Sequence, residues 1–147
     1  MEFTRAQTAF EAEKTQDASV KLGLPPWHPD LTGIHDQSTV DLLREQILAL
    51  PQDERNFLRA PPSGSAFSWD SEKSAELLST AATMLQEDKN LALMRFRLVP
   101  KKLKEDDFWR NYFYRISLIR QAAQLSLLAN VSPEDAMLFN SAGDEGN

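Results

Sequence analysis

The chain has 147 residues, with 16 basic against 22 acidic side chains and a net charge of −6, the size of one domain with flanks. Its 41% apolar and 26% charged content is that of a folded protein and excludes disorder throughout. The absence of cysteine excludes thiolate catalysis, disulfides and cysteine zinc sites. No apolar run approaches the roughly 18 residues of a membrane span, and Met1–Arg5 lacks a signal peptide's apolar core, so the sequence reads as cytoplasmic.

Residues 1–22 read as a helical flanking segment, rich in Ala, Glu, Gln and Lys but with only a thin apolar stripe of Ala6, Ala9, Phe10 and Val20. Gly23 stands where a helix C-cap is expected. The prolines of Leu24-Pro25-Pro26-Trp27-His28-Pro29 then predict an extended linker over 23–36. The domain is expected over 37–130. Ser38-Thr39-Val40-Asp41 has capping-box spacing, and Val40, Leu43, Ile47 and Leu50 recur at helical intervals until Pro51, predicting a helix over 39–50. A short helix near 52–59 ends at Pro61-Pro62, and Asp70 is an N-cap for a helix over 71–88 with a stripe of Ala75, Leu78, Ala82 and Leu85. Asn90 reads as the cap of a short helix near 91–98, stopped by Val99-Pro100.

The strongest pattern covers 104–128, where Trp109, Tyr112, Phe113, Ile116, Ile119, Ala123 and Leu127 share one stripe. Ser132-Pro133-Glu134-Asp135 then combines an N-cap, a proline at the first helical position and an acidic first turn, predicting a short helix near 133–140 within a terminal segment, 131–147, whose end is disordered. No strand-like run competes. The expected fold is an all-α, small antiparallel helical bundle with a three-helix core of 39–50, 71–88 and 104–128.

Chemistry is sparse. His28 and His35 lie seven positions apart with no HExxH spacing and read as solvated loop residues rather than metal ligands. Glycine-rich phosphate loops and GxSxG elbows are absent. The pairs Glu87-Asp88 and Asp106-Asp107 sit at helix ends, where the dipole accounts for acids. No catalytic residue, metal site or cofactor is expected. Charge, however, is uneven: over 95–120, eight basic residues meet three acidic ones. Arg95, Arg97, Lys101, Lys102 and Lys104 surround the Pro100 corner, a patch suited to anionic lipid or an acidic partner, against the plainer reading as dipole partners of helix 91–98. Nucleic acid is disfavoured by the acidic balance. Tyr114, Leu118 and Leu125 form a second apolar ridge on the long helix, expected either to pack on 133–140 or to dock a partner.

The ordered set Asn56-Phe57-Leu58-Arg59 with Pro61-Pro62, Met84 to Asp88, Met94-Arg95-Phe96, Leu98-Val99-Pro100 and Phe108 to Arg115 resembles the BSD domain, most closely its synapse-associated protein branch, over about 44–129. The resemblance places the family's hallmark on Phe108 and Trp109, with Leu98, Pro100, Tyr112 and Phe113 accompanying, all mainly core. It implies a compact three-helix core and a non-enzymatic, monomeric adaptor in the cytoplasm, membrane-apposed or synaptic, bound to a protein partner. Other branches imply instead a nuclear role in transcription and repair assemblies. The loop 63–74 departs from the branch pattern, so no partner of that loop is implied.

Overall fold

A computed structural model describes residues 22–129; the expected helix in 1–22, apart from Leu22, the expected helix near 133–140 and the terminal tail lie outside the described residues. Among these residues there is no strand. The helices are α1 (Pro29–Thr32), α2 (Gln37–Ala49), a 3-10 turn (Leu50–Gln52), α3 (Arg55–Leu58), α4 (Ser71–Glu76), α5 (Leu78–Glu87), α6 (Lys89–Leu98) and α7 (Glu105–Ala129). The all-α bundle read from periodicity is the observed architecture.

Caps set several boundaries that the sequence patterns misplace. Asp36, not Ser38, caps α2: its carboxylate accepts from the Thr39 amide at 3.1 Å and from both the Ser38 and Thr39 hydroxyls. A carboxylate that satisfies a free amide while engaging two hydroxyls outcompetes either hydroxyl as the cap. Likewise Asp88, not Asn90, caps α6 by accepting from the Leu91 amide at 3.1 Å. Asp70 caps α4 as expected, accepting from the Lys73 amide. The single helix expected over 71–88 is broken at Leu77, whose φ of −93° and ψ of 3° leave the helical basin. The break re-aims α5, so its buried face carries Thr80, Ala81, Ala82, Thr83 and Met84, while Ala75 and Leu78 of the expected stripe lie exposed.

One core joins Ile47, Phe57, Met84, Leu91, Met94 and Leu98 to the α7 face of Phe108, Trp109, Tyr112, Phe113 and Ile116. Two elements expected to be accessory stand inside it. Helix α6 buries Leu91, Met94 and Leu98, and the four-residue α3 inserts Phe57, 0% exposed, against Phe108 and Tyr112 with ring centroids at 4.9 and 5.8 Å. Asn111 donates to the Phe57 carbonyl at 2.6 Å and anchors that turn. A second cluster, Ile34, Val40 and Leu43, packs beside Trp27, Ile119 and Ala123.

The proline-rich stretch expected as a linker is tied to the bundle. The Gly23 amide donates to the Ser79 carbonyl at 3.1 Å, and the Thr83 and Thr80 hydroxyls donate to the carbonyls of Gly23 and Leu24 at 2.7 and 3.0 Å. Gly23, expected as a C-cap, has no left-handed φ; it serves close approach, because a Cβ there would collide with the Ser79 side chain. Arg44 sits 5.6 Å over the Trp27 ring, and Gln124 of α7 donates to the Thr32 carbonyl at 3.2 Å.

Candidate functional site

Two surfaces named by the sequence pattern, the basic corner and the second ridge of α7, are positioned by α7 itself. Its first turn carries Glu105, whose carboxylate accepts from Arg95 Nε at 2.7 Å and Nη2 at 2.6 Å and from Trp109 Nε1 at 2.6 Å. The fork geometry of a guanidinium on a carboxylate makes this a specific clamp between α6 and α7. Arg95 is consequently only 8% exposed and is withdrawn from the corner it was expected to serve. Arg97 and Lys102 both flank Glu54, at 3.7 and 3.9 Å, which offsets part of their charge. Lys101 and Lys104 stay exposed. The expected five-cation patch is thus reduced to two outward lysines and two cations sharing an acid, four in all, the lower limit of the four to eight clustered cations typical of lipid recognition and with part of the charge offset by Glu54.

The loop after α3 builds the second surface. Gly64 takes a φ of 85°, a left-handed turn that suits glycine. The chain then lays Phe67 and Trp69 against α7: Phe67 meets Tyr114 edge-on at 5.5 Å, Trp69 stacks on Phe113 at 6.1 Å, and the two loop rings stack on each other at 6.2 Å. Trp69 Nε1 donates to Asp106 at 3.0 Å and locks the arrangement. Between this loop and α7 lies a cleft of about 320 Å³, lined by 62–67 and by Tyr114, Ser117, Leu118 and Gln121. A smaller cleft of about 130 Å³, which shares the lining residues Phe67 and Ser117, is bounded by Leu31, Leu77, Phe113 and Ile116, and its charged lining residues are Lys73 and Arg120.

The expected ridge therefore divides. Tyr114 and Leu118 line the cleft together, whereas Leu125 stands farther along α7, outside it. Phe67 and Trp69 were missed as site residues; two aromatics spaced i, i+2 in a Ser- and Gly-rich loop were the available signal. His28 caps α1 by accepting from the Asp30 amide at 3.0 Å, and His35 is exposed. Among the described residues no group of three or more His, Asp or Glu is placed to hold a metal ion. Burial pushes the Asp88 carboxyl up and, with the nearby Asp88 charge, the Tyr112 hydroxyl well above its ordinary value; both belong to the core rather than to either cleft.

Residues 67–125 match the family model of the BSD domain. The chain carries a BSD domain. Its match begins at Phe67, the first ring of the loop ladder, and ends at Leu125, so the domain proper comprises α4 to α7 while α2 and α3 precede it. The chain is also 48% identical over 128 residues to Synapse-associated protein 1 of Mus musculus, covering 87% of this chain and 32% of that protein. It is 47% identical over 145 residues to the Synapse-associated protein of 47 kDa of Drosophila melanogaster, covering 99% of this chain and 23% of that protein. The chain thus spans a third or less of the length of the relatives it matches. Within the BSD domain, the hallmark Phe108 and Trp109 are buried along with Leu98, Tyr112 and Phe113, but Pro100 is exposed at the corner rather than in the core. Its place at the turn between α6 and α7, where it need not pack, accounts for that difference.

Proposed function

We propose that the chain is a non-enzymatic protein-interaction module of a synapse-associated-protein-like adaptor, and that its BSD domain takes a short apolar segment bearing carboxylates in the cleft between the 62–67 loop and α7. The observation that carries this reading is an open apolar cleft beside a cationic one: Tyr114, Leu118 and Phe67 line the first, and Lys73 and Arg120 are the charged residues of the second, with which it shares Phe67 and Ser117. Arg120 has no carboxylate within ion-pair distance among the described residues, so an acid on the ligand is the partner its charge lacks. The surface suits a peptide better than a headgroup, because recognition by apolar pockets with a few placed charges gives segment specificity. A cytoplasmic location at the synapse is part of this proposal, and the synaptic half of it is supported by the names of the two synapse-associated relatives; among the described residues no helix is long and apolar enough to cross a membrane.

Selection of a displayed random-peptide library on the chain tests this reading. Enriched peptides should combine apolar residues with Asp or Glu, and should be lost on Leu118→Glu and weakened by Arg120→Glu and by salt. Peptides that bind both variants as well as the parent would refute the cleft. Binding to phosphatidylserine vesicles that disappears on Lys101→Glu/Lys102→Glu/Lys104→Glu would instead establish the membrane reading.

A further inference from the structure

One wall of the smaller cleft comes from outside the BSD match. Pro26 and Leu31 belong to the proline-rich stretch, whereas Lys73 comes from α4 and Arg120 from α7. We infer that residues 24–34 complete the recognition site as its specificity-determining wall, with Leu31 making the smaller cleft selective for an acidic side chain of the bound segment. The inference rests on the peptide reading and adds to it the element that sharpens the choice of the acid.

Both ends of this wall are fixed. Its start is tied to α5 through Gly23 and Leu24. Its end is held by the Gly33 amide on the Pro29 carbonyl at 2.7 Å, by Gln124 on the Thr32 carbonyl, and by Ile34, 4% exposed, in the second cluster. Leu31 therefore stands at a set position between two anchors. On α7 the clefts occupy neighbouring stripes: Tyr114, Leu118 and Gln121 line the larger, Phe113, Ile116 and Arg120 the smaller, and Ser117 belongs to both. A segment crossing α7 over Ser117 brings an apolar side chain to one stripe and an acid to the other. In the smaller cleft the Thr80 and Ser117 hydroxyls already donate to the Leu24 and Tyr114 carbonyls, at 3.0 and 2.6 Å. Recognition there falls to the cations. Lys73 shares its charge with Glu76 at 3.7 Å, which leaves Arg120 the stronger attractor. An apolar wall beside charges of one sign focuses their field and strengthens the attraction for an anion, and Pro26 with Leu31 supplies that wall. The unit that selects the acid is thus longer than the BSD match and reaches back to residue 24.

Titration of the full chain with 4-phenylbutyrate and with its uncharged amide, followed by amide chemical shifts, tests the wall. The carboxylate should bind the parent more tightly than the amide and should shift Leu31 and Arg120 as well as Phe67 and Leu118, which alone respond to the amide. Leu31 is 46% exposed and accepts a polar replacement. Leu31→Glu should weaken carboxylate binding by about threefold and Leu31→Lys should strengthen it by about as much, with amide binding unchanged. Opposite signs at one position are not the signature of misfolding. Leu42→Glu, the same change at an exposed position of α2 outside both clefts, should leave both probes unaffected. Equal carboxylate binding by the parent and both Leu31 variants would overturn the wall, and so would a carboxylate bound no more tightly than its amide; shifts at Phe67 and Leu118 would then leave the larger cleft standing. No shift at Phe67 and Leu118 with either probe would overturn the peptide cleft itself, and the inference with it.

Discussion

Replacing Phe57 by alanine removes a ring that is fully buried against Phe108 and Tyr112, at centroid distances of 4.9 and 5.8 Å. The ring comes from a four-residue helix outside the BSD match, so the substitution asks whether 37–58 is part of the same cooperative unit. Truncating a buried phenylalanine forfeits its transfer free energy and leaves a cavity, together about 3–5 kcal/mol. The rigid surroundings place Phe57 toward the upper end: Asn111 holds the backbone at the Phe57 carbonyl, and collapse into the gap would break that buried hydrogen bond. With a urea slope of about 1–3 kcal/mol/M, a loss of about 4 kcal/mol lowers the midpoint by roughly 1.3–4 M. Its neighbour Leu58 is exposed, and Leu58→Ala should stay within about 0.5 kcal/mol, as surface substitutions do. Urea unfolding followed by tryptophan fluorescence measures both. A Phe57→Ala loss below about 1 kcal/mol, or two transitions in the parent, would refute the single core.

Glu105→Gln removes the Glu105 charge from the nearly buried Arg95 guanidinium; because Glu105 is itself partly exposed, the loss in thermal or urea unfolding should be about 1–2 kcal/mol rather than the 3–5 of a fully buried pair. Asp88→Asn keeps an acceptor for the Leu91 amide and removes a carboxylate whose proton affinity burial raises. The folded state holds that proton more tightly than the unfolded chain, so the parent's contribution is greatest below the ordinary value of 3.8 and falls as pH rises through the folded one; the variant should be the more stable at neutral pH and the two should converge in acid, as melting across pH will show. Gly23→Ala should destabilise by about 1–3 kcal/mol through its collision with Ser79, and Ser79→Gly in the same chain should restore part of the loss. Trp109→Ala should abolish cooperative melting, at a cost of ~3–5 kcal/mol; a folded variant lacking only partner binding would make Trp109 a surface anchor instead.

The sequence made the long helix plain because its pattern is local: aromatic and aliphatic residues repeat at helical intervals over seven turns with no competing breaker. Helix α2 was legible on the same ground through Val40, Leu43 and Ile47. What escaped depends on contacts between distant positions. Arg95 reads as a surface cation until the α6–α7 turn brings Glu105 and Trp109 onto it. The cleft is set by Phe67 and Trp69 reaching α7 across more than forty residues of chain, and no periodicity encodes such a crossing. The prolines of 24–29 specify an extended path, but not that it lies on α5; that depends on the lack of a Cβ at Gly23 and on two threonine hydroxyls. Caps were misread where several suitable side chains stood within three positions, as with Asp36 against Ser38.

The most direct test of the interaction reading is a titration of the isotopically labelled chain with a selected acidic, apolar peptide, followed by amide chemical shifts. Shifts confined to Phe67, Ser117, Leu118, Gln121 and Arg120 are the predicted result; shifts centred on 101–104, with the cleft unmoved, would contradict it.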